Sequence, residues 1–486
     1  MSIRKYFDPY LDLRAIGLFR IFLAGVLILD LLFVKWPNLE AFYTDSGLLD
    51  QSTLQSIVDA DSFRAIYNWG LLSFFDSANG VGLFFILTLI SYLCVAVGYR
   101  TKLFSIVAFI ALWSIHQRNS FVLSGPDELM INLLFIALFL PLDQRFSLFK
   151  SKVDIEKNKL RGMASFYVLF FIGLVYFFQA FLKTGNLWEN GEAISYALQE
   201  TIWTNSSASW LHDRPGLCSF LTKSTLWIEY SIPALLFFPF FNKWTRLLAV
   251  FLLIGLHGTI FMFLDLGLFP LIVPTFCVLL LPSSFFNKMG QKLQRVKLKK
   301  SPIELKPVFA LNGKYAKLLS IIVLAGTLIL VTWKSALSSN SIKQEIPNPS
   351  FMKHLGNTSM FFQYWGFYAP NPSVTHGWFK VMGTSANGQQ IDLRTGESIT
   401  FDDSDLSAYR DYSWNVFYYK TNLYYYVNSP TLMKKWSEFE LAKALQDRPE
   451  LRITSLQIIG FRQQILSATE NGPIQSYVIS ESRINR

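Results

Sequence analysis

Apolar runs approaching ~20 residues recur through the first two thirds of this chain, and that is the length an α-helix needs to cross a bilayer. The first runs from Ala15 to Val34 and carries Arg20 and Asp30. Further runs lie near 81–98, 103–116, 128–142, 163–182, 226–241, 247–263, 267–284 and 318–336. The pattern predicts nine crossings, with the count open by about two because several runs are short for a full crossing. The segment 103–116 reads equally well as a buried or re-entrant helix. The basic cluster Arg4, Lys5 and Arg14 precedes a run too long for a signal h-region, with no small-residue cleavage site after it, so it reads as a first span.

From residue 338 the pattern changes. Trp378 to Met382 and Gln390 to Leu393 flank Asn387-Gly388, and Ile453 to Ser467 and Ile474 to Ser480 flank Asn471-Gly472. Both dipeptides signal tight hairpins. Between them Trp436 to Leu445 has helical spacing. Met360 to Pro372 (MFFQYWGFYAPNP) is too aromatic for a free loop and is expected to pack against the membrane or the sheet. The fold class expected is an all-α polytopic membrane bundle over 1–337, N-terminus inside, with a small exported α+β domain over 338–486.

Composition agrees. The 486 residues are 51% hydrophobic and only 16% charged, against about 25% charged in soluble domains. A wholly soluble protein is excluded. Cys94, Cys218 and Cys277 are too few for a disulfide scaffold or a cysteine-ligated metal site, and no metal is expected. The net charge of +10 has a location: with the N-terminus inside, 22 lysines and arginines fall in inner segments and six in outer ones. Retention of basic loops on the cytoplasmic side then places the C-terminal domain outside. The partner expected is the lipid bilayer; nucleic acid is not expected. The basic stretch Lys288 to Lys300 directly follows a span and reads as an anchor to anionic headgroups.

Ionisable groups in hydrocarbon cost about 2.5–3.5 kcal/mol on insertion scales, so each invites a partner or a role. Arg20 and Asp30 stand about 80° apart around one helix and ~15 Å apart in height, too far to pair with each other. They read as structural, each bonding a neighbouring helix. Lys183 ends the fifth run after Tyr176 and Gln179, with Trp188 close behind. An amine held among aromatics favours its neutral, proton-accepting form, although a lysine at a helix end also snorkels to headgroups. Glu229, His257 and Asp127 are expected at similar depth, and together with Lys183 they compose a candidate proton-handling pocket.

The order Phe19-Arg20-Ile21, Gly25, Leu29-Asp30, then Gly98-Tyr99-Arg100, Leu138 to Pro141, Val175 to Lys183 with Trp188 and Gly191, then His257 and Leu281-Pro282, resembles the horizontally transferred transmembrane (HTTM) family. That family includes the vitamin K-dependent gamma-carboxylases. The likeness covers about residues 8–290, and FYAPNP at Phe367 to Pro372 is similar to phrases that follow this domain in bacterial members. The resemblance implies a carboxylase-like carbon–carbon lyase using reduced vitamin K or a menaquinol-type quinol. Lys183 matches the base toward the quinol and His257 a pocket histidine. A second family histidine falls at Asp127, where a carboxylate cannot donate as an imidazolium does. The expected location is a bacterial inner membrane and the expected substrate an exported peptide or small acid. The alternative is a non-catalytic helper in maturation or export of a secreted peptide. A transporter is less favoured, because no matched pair of Gly- or Pro-broken spans is found.

Overall fold

The computed structural model describes residues 9–54, 70–151, 158–293, 303–305, 314–339, 346–347, 349–361, 363–401, 406–424 and 429–484. Arg4, Lys5, Arg64 and most of the basic stretch Lys288 to Lys300 lie outside them.

All nine apolar runs are helical in whole or in part. They form α1 (Leu13–Leu29), α2 (Ala78–Val97), α3 (Thr101–Arg118), α4 (Gly125–Ala137), α5 (Met163–Phe181), α6 (Pro215–Phe237), α7 (Asn242–Phe263), α8 (Phe269–Cys277), and, after α9 (Ser283–Leu293), α10 (Lys314–Leu337). Fewer qualify as crossings. Among the described residues five helical stretches are long and apolar enough, namely Leu13–Tyr43, Ala78–Val97, Met163–Phe181, Asn242–Phe263 and Lys317–Leu337. A sixth is counted if Phe269–Leu280 and Ser283–Met289, bent by 95°, form one broken span. The runs that fall short of this measure are those of α3, α4 and α6; in α4 only 13 residues are helical and nearly all are buried among neighbouring helices. A helix so enclosed does not need the length that lipid demands.

Local chemistry sets the helix ends. Asp12 caps α1 by accepting from the Arg14 amide, and Ser77 caps α2 by accepting from the Gly80 amide. Gly98 then ends α2 with φ +85°, a left-handed position that glycine takes at no steric cost. Ser124 and Asp127 form a capping box on α4, with Pro126 in its first turn. Beyond Leu29 the first helix widens into a π-turn over Asp30–Lys35.

The C-terminal region holds a four-stranded antiparallel sheet built from β1 (Thr375–Ser385), β2 (Gln390–Asp392), β3 (Ile453–Gln464) and β4 (Gln475–Arg483), in the order β2-β1-β3-β4. Trp378 pairs with Phe461 across β1 and β3, and their rings stack at 5.4 Å. α11 (Ser350–Ser359) precedes the sheet, while α12 (Tyr412–Tyr418) and α13 (Pro430–Asp447) follow β2. Trp436 of α13 is fully buried against Phe379 and Phe417. Trp436→Ala is therefore expected to lower stability by about 3–5 kcal/mol, measured by denaturant unfolding of the detergent-solubilised chain.

The two Asn-Gly signals differ. The first closes a tight hairpin with Gly388 at φ +84°. The second lies off the tip: Asn471 bridges Ile465, and the amides of Leu466 and Ser467 both donate to the Glu470 carbonyl, so the turn is made at 467–470.

One continuous apolar core runs from the helical bundle into the sheet region. The aromatic strap after α11 joins them. Phe361 packs on Phe135 at 4.7 Å, Trp365 on Phe171 at 6.0 Å and Phe367 on Phe269 at 5.8 Å. Gln363 accepts from the Asn132 amide at 2.6 Å, and the Thr358 carbonyl accepts from the Trp113 indole at 2.8 Å. The strap was expected against the membrane or the sheet; it packs instead on the helical bundle.

Candidate active site

The site grows from the C-terminal end of α5. After Leu182 the chain turns through Thr184 and Gly185 into a short helix, Asn186–Asn190, that ends at Gly191 with φ +81°. The strap holds this turn: the Gly185 amide donates to the Pro370 carbonyl at 3.0 Å, the Leu187 amide to Asn371 Oδ1 at 3.1 Å, and the Trp188 indole to the Tyr368 carbonyl at 2.9 Å. An added Cβ on Gly185 would collide with the Asn371 side chain. Gly185→Ala should therefore cost about 1–3 kcal/mol, read as a lower unfolding midpoint.

Lys183 is thereby enclosed rather than directed to headgroups. Its Nζ donates to both carboxylate oxygens of Glu229 on α6, at 2.5 and 2.6 Å, and stands 4.8 Å from the Trp188 ring centre. Both side chains are only 4% exposed. The Tyr176 hydroxyl contacts His257 Nε2 at 2.8 Å, and the His257 ring meets Phe269 edge-on at 5.2 Å. The charge of Lys183 acts on the His257 imidazole, and that of Glu229 on the Tyr176 phenol, so these four groups form one electrostatic cluster.

Beside the cluster lies an apolar cavity lined by Leu129, Leu133, Phe171, Tyr176, Gln179 and Trp365, among others. Its free space is about that of one water molecule. A quinol of the vitamin K or menaquinol type does not fit there as the side chains stand. Among the described residues, no group of three or more His, Cys, Asp or Glu is placed to hold a metal ion.

Asp127 does not join Lys183, which corrects the four-residue pocket expected from depth alone. Its Oδ1 receives Lys35 Nζ at 2.9 Å, and Lys35 also binds Asp30 Oδ2 at 2.6 Å. Asp30 therefore finds its cation on its own helix, not on a neighbour. In regular α geometry residues five apart stand about 140° apart; the π-turn at Asp30–Lys35 brings them to one side. Lys35 and Arg118, two of the six basic residues that the nine-run pattern places in outer loops, are buried: Arg118 donates to the Leu49 carbonyl at 2.6 Å and to Asp45 at 2.9 Å. Arg20 donates to the carbonyls of Leu142 and Phe146, at 3.0 and 2.5 Å, in the turns beyond α4. Lys35 and His116 were missed in the sequence. A charge at the end of a span and a histidine inside an apolar helix were the available signals.

A separate buried acid, Glu200, lies beyond the helices near the strap. Burial pushes its carboxyl up to about 8, against a hydrogen bond from the Ser373 backbone that works the other way. The folded chain therefore binds a proton that the unfolded chain has released above about 4.5. This contribution to stability is complete below that pH and is lost as pH rises through about 8. Glu200→Gln should flatten that decline, which amounts to about 1.4 kcal/mol per pH unit within the window; melting temperature followed from pH 5 to 9 checks it.

No family model, curated protein or solved structure matches this chain. The geometry thus stands as the ground for any functional reading of a multi-pass, helix-rich membrane protein with a sheet-containing C-terminal region.

Proposed function

We propose that this chain is an HTTM-type membrane protein, similar to the vitamin K-dependent gamma-carboxylases, in which Lys183 and Glu229 form a proton-transfer pair. The observation that carries the reading is the enclosed Lys183–Glu229 contact at 2.5–2.6 Å beside Trp188, Tyr176 and His257. At that separation one proton can rest on either partner. When Glu229 holds it, Lys183 is a neutral amine able to take a proton from an acid brought to it, and low solvation keeps water from quenching the amine. Such a pair suits taking a proton from a hydroxyl acid such as a quinol, for which the side chains around the cavity would have to move apart; an amine is too weak to break a carbon–hydrogen bond of an exported peptide or small acid, so carboxylation there would need a stronger base formed from the quinol. The asymmetry of basic residues supports an extracytoplasmic C-terminal domain and a bacterial inner-membrane location.

The test is a mass-shift search for gamma-carboxyglutamate on exported proteins from cells with the wild-type chain, with Lys183→Ala and without the chain. Modification present only with wild type supports the reading; an unchanged profile in all three rejects it.

The second reading, a non-catalytic helper for maturation or export of a secreted peptide, rests on the small size of the cavity beside Tyr176 and Gln179. Trp365 cannot be a client-docking residue under that reading, because it is 1% exposed and sealed into the bundle.

A further inference from the structure

The cluster around Lys35 is a second charged centre inside the molecule, built from elements far apart in sequence. Asp30 and Lys35 come from the π-turn after α1, His116 from α3 and Asp127 from α4. Lys35 bridges the two carboxylates at 2.6 and 2.9 Å, and all four side chains are at most 8% exposed. With a neutral imidazole, two aspartates and one lysine leave one negative charge in excess. A buried excess charge is costly, and one bound proton cancels it.

Two observations separate this centre from a static ion pair. His116 is 1% exposed and neither ring nitrogen makes a hydrogen bond, yet Nε2 faces Asp127 Oδ1 from 3.5 Å. It is a buried base aimed at a carboxylate that it does not yet hold. In addition, a chain of hydroxyls reaches the centre from the C-terminal region. The Tyr412 hydroxyl of α12 donates to Ser124 Oγ at 2.9 Å, and Ser124 Oγ donates to Asp127 Oδ2 at 3.1 Å. Both O–H bonds point toward Asp127. A small cavity touching Tyr412 and Ser413 as well as Asp30, Lys35 and Asp127 has room for about one water beside this chain.

We infer that Asp30, Lys35, Asp127 and His116 form a proton-binding centre, distinct from the Lys183 pair, that is loaded from the C-terminal region through Tyr412 and Ser124. Delivery proceeds by concerted hops. The Ser124 O–H bond breaks as its proton passes to Asp127 Oδ2; Ser124 takes the Tyr412 proton, and Tyr412 takes one from a hydronium ion that reaches the adjoining cavity and is left there as neutral water. The ligand is one proton, and its arrival neutralises the cluster. Tyr43 and Tyr92 also feel the charges of Asp30 and Lys35, and Tyr43 that of Asp411. The Asp411 carboxylate, which accepts from Asn38 at 3.0 Å, Glu128, whose buried carboxyl feels the charge of Asp127, and Asp265, which acts on Tyr412, also face the centre.

Infrared pH titration of the full chain in lipid nanodiscs tests the inference. Wild type should show a carboxylic-acid C=O component that titrates away as pH rises. That component should be absent from Asp30→Asn and from Asp127→Asn and retained in Glu200→Gln, which loses instead the separate C=O component of its own carboxyl, held protonated up to about pH 8. After a pH jump, Tyr412→Phe should exchange the proton roughly tenfold more slowly or worse, the scale of losing a positioned proton carrier. Persistence of the component in both Asn variants overturns the proton site. Exchange at the wild-type rate in Tyr412→Phe overturns the relay.

Discussion

Glu229→Ala is expected to destabilise the folded chain by about 3–5 kcal/mol, because it leaves the Lys183 ammonium buried without its partner. The two oxygens lost are the acceptors at 2.5 and 2.6 Å, and the Trp188 face at 4.8 Å cannot replace a full negative charge. The double variant Lys183→Met/Glu229→Leu should behave differently. Replacing a buried ion pair by apolar side chains of similar volume is often neutral or stabilising, so that chain should melt near or above wild type. Unfolding midpoints of both variants in detergent give the structural half of the answer. The functional half comes from the same double variant assayed in cells. A proton-transfer role requires that activity be abolished while the protein accumulates in the membrane; retained function would reduce the pair to a fold determinant and favour the helper reading.

Trp365→Ala should cost about 3–5 kcal/mol, the range for removing a large aromatic side chain from a packed core. The indole is 1% exposed, meets Phe171 at 6.0 Å and Phe367 at 6.2 Å, and lines the cavity beside Tyr176 and Gln179. The strap that carries it also holds the Gly185–Trp188 turn through Pro370, Asn371 and Tyr368. Loss of the anchor should therefore loosen the turn after Lys183 as well as lower the unfolding midpoint. Hydrogen exchange at the amides of Gly185 and Leu187 reads that coupling. Exchange unchanged beside a large stability loss would show that strap and turn are held independently.

The features legible in the chain were the local ones. Each long apolar run became helix in whole or in part, and the segments on either side of Asn387-Gly388 became β1 and β2, because helix period and hairpin turns depend on residues within a few positions. The helix carrying Trp436 was readable for the same reason, from its spacing; the burial of Trp436 against Phe379 and Phe417 was not. The second Asn-Gly failed as a turn marker because Glu470 offered its carbonyl to two amides and closed the loop earlier. The number of crossings was not fixed by length at α4, because enclosure by other helices, which depends on the whole bundle, substitutes for length.

The charged residues divide in the same way. That Lys183, Arg20, Asp30 and Asp127 needed partners followed from the sequence alone, since a charge in apolar surroundings must be compensated. Which partner each takes did not follow. Lys183 pairs with Glu229 and not Asp127, and Asp127 pairs with Lys35, because helix packing places α6 beside the end of α5 and α4 beside the π-turn of the first helix. The residues themselves thus determined a membrane-embedded helical chain with costly interior charges and a β-containing C-terminal region. Only the tertiary structure sorted those charges into two separate centres and laid the aromatic strap across the bundle. Pairing energies act over a few ångströms of space, and the separation along the chain, 46 residues for Lys183–Glu229 and 92 for Lys35–Asp127, carries no trace of them.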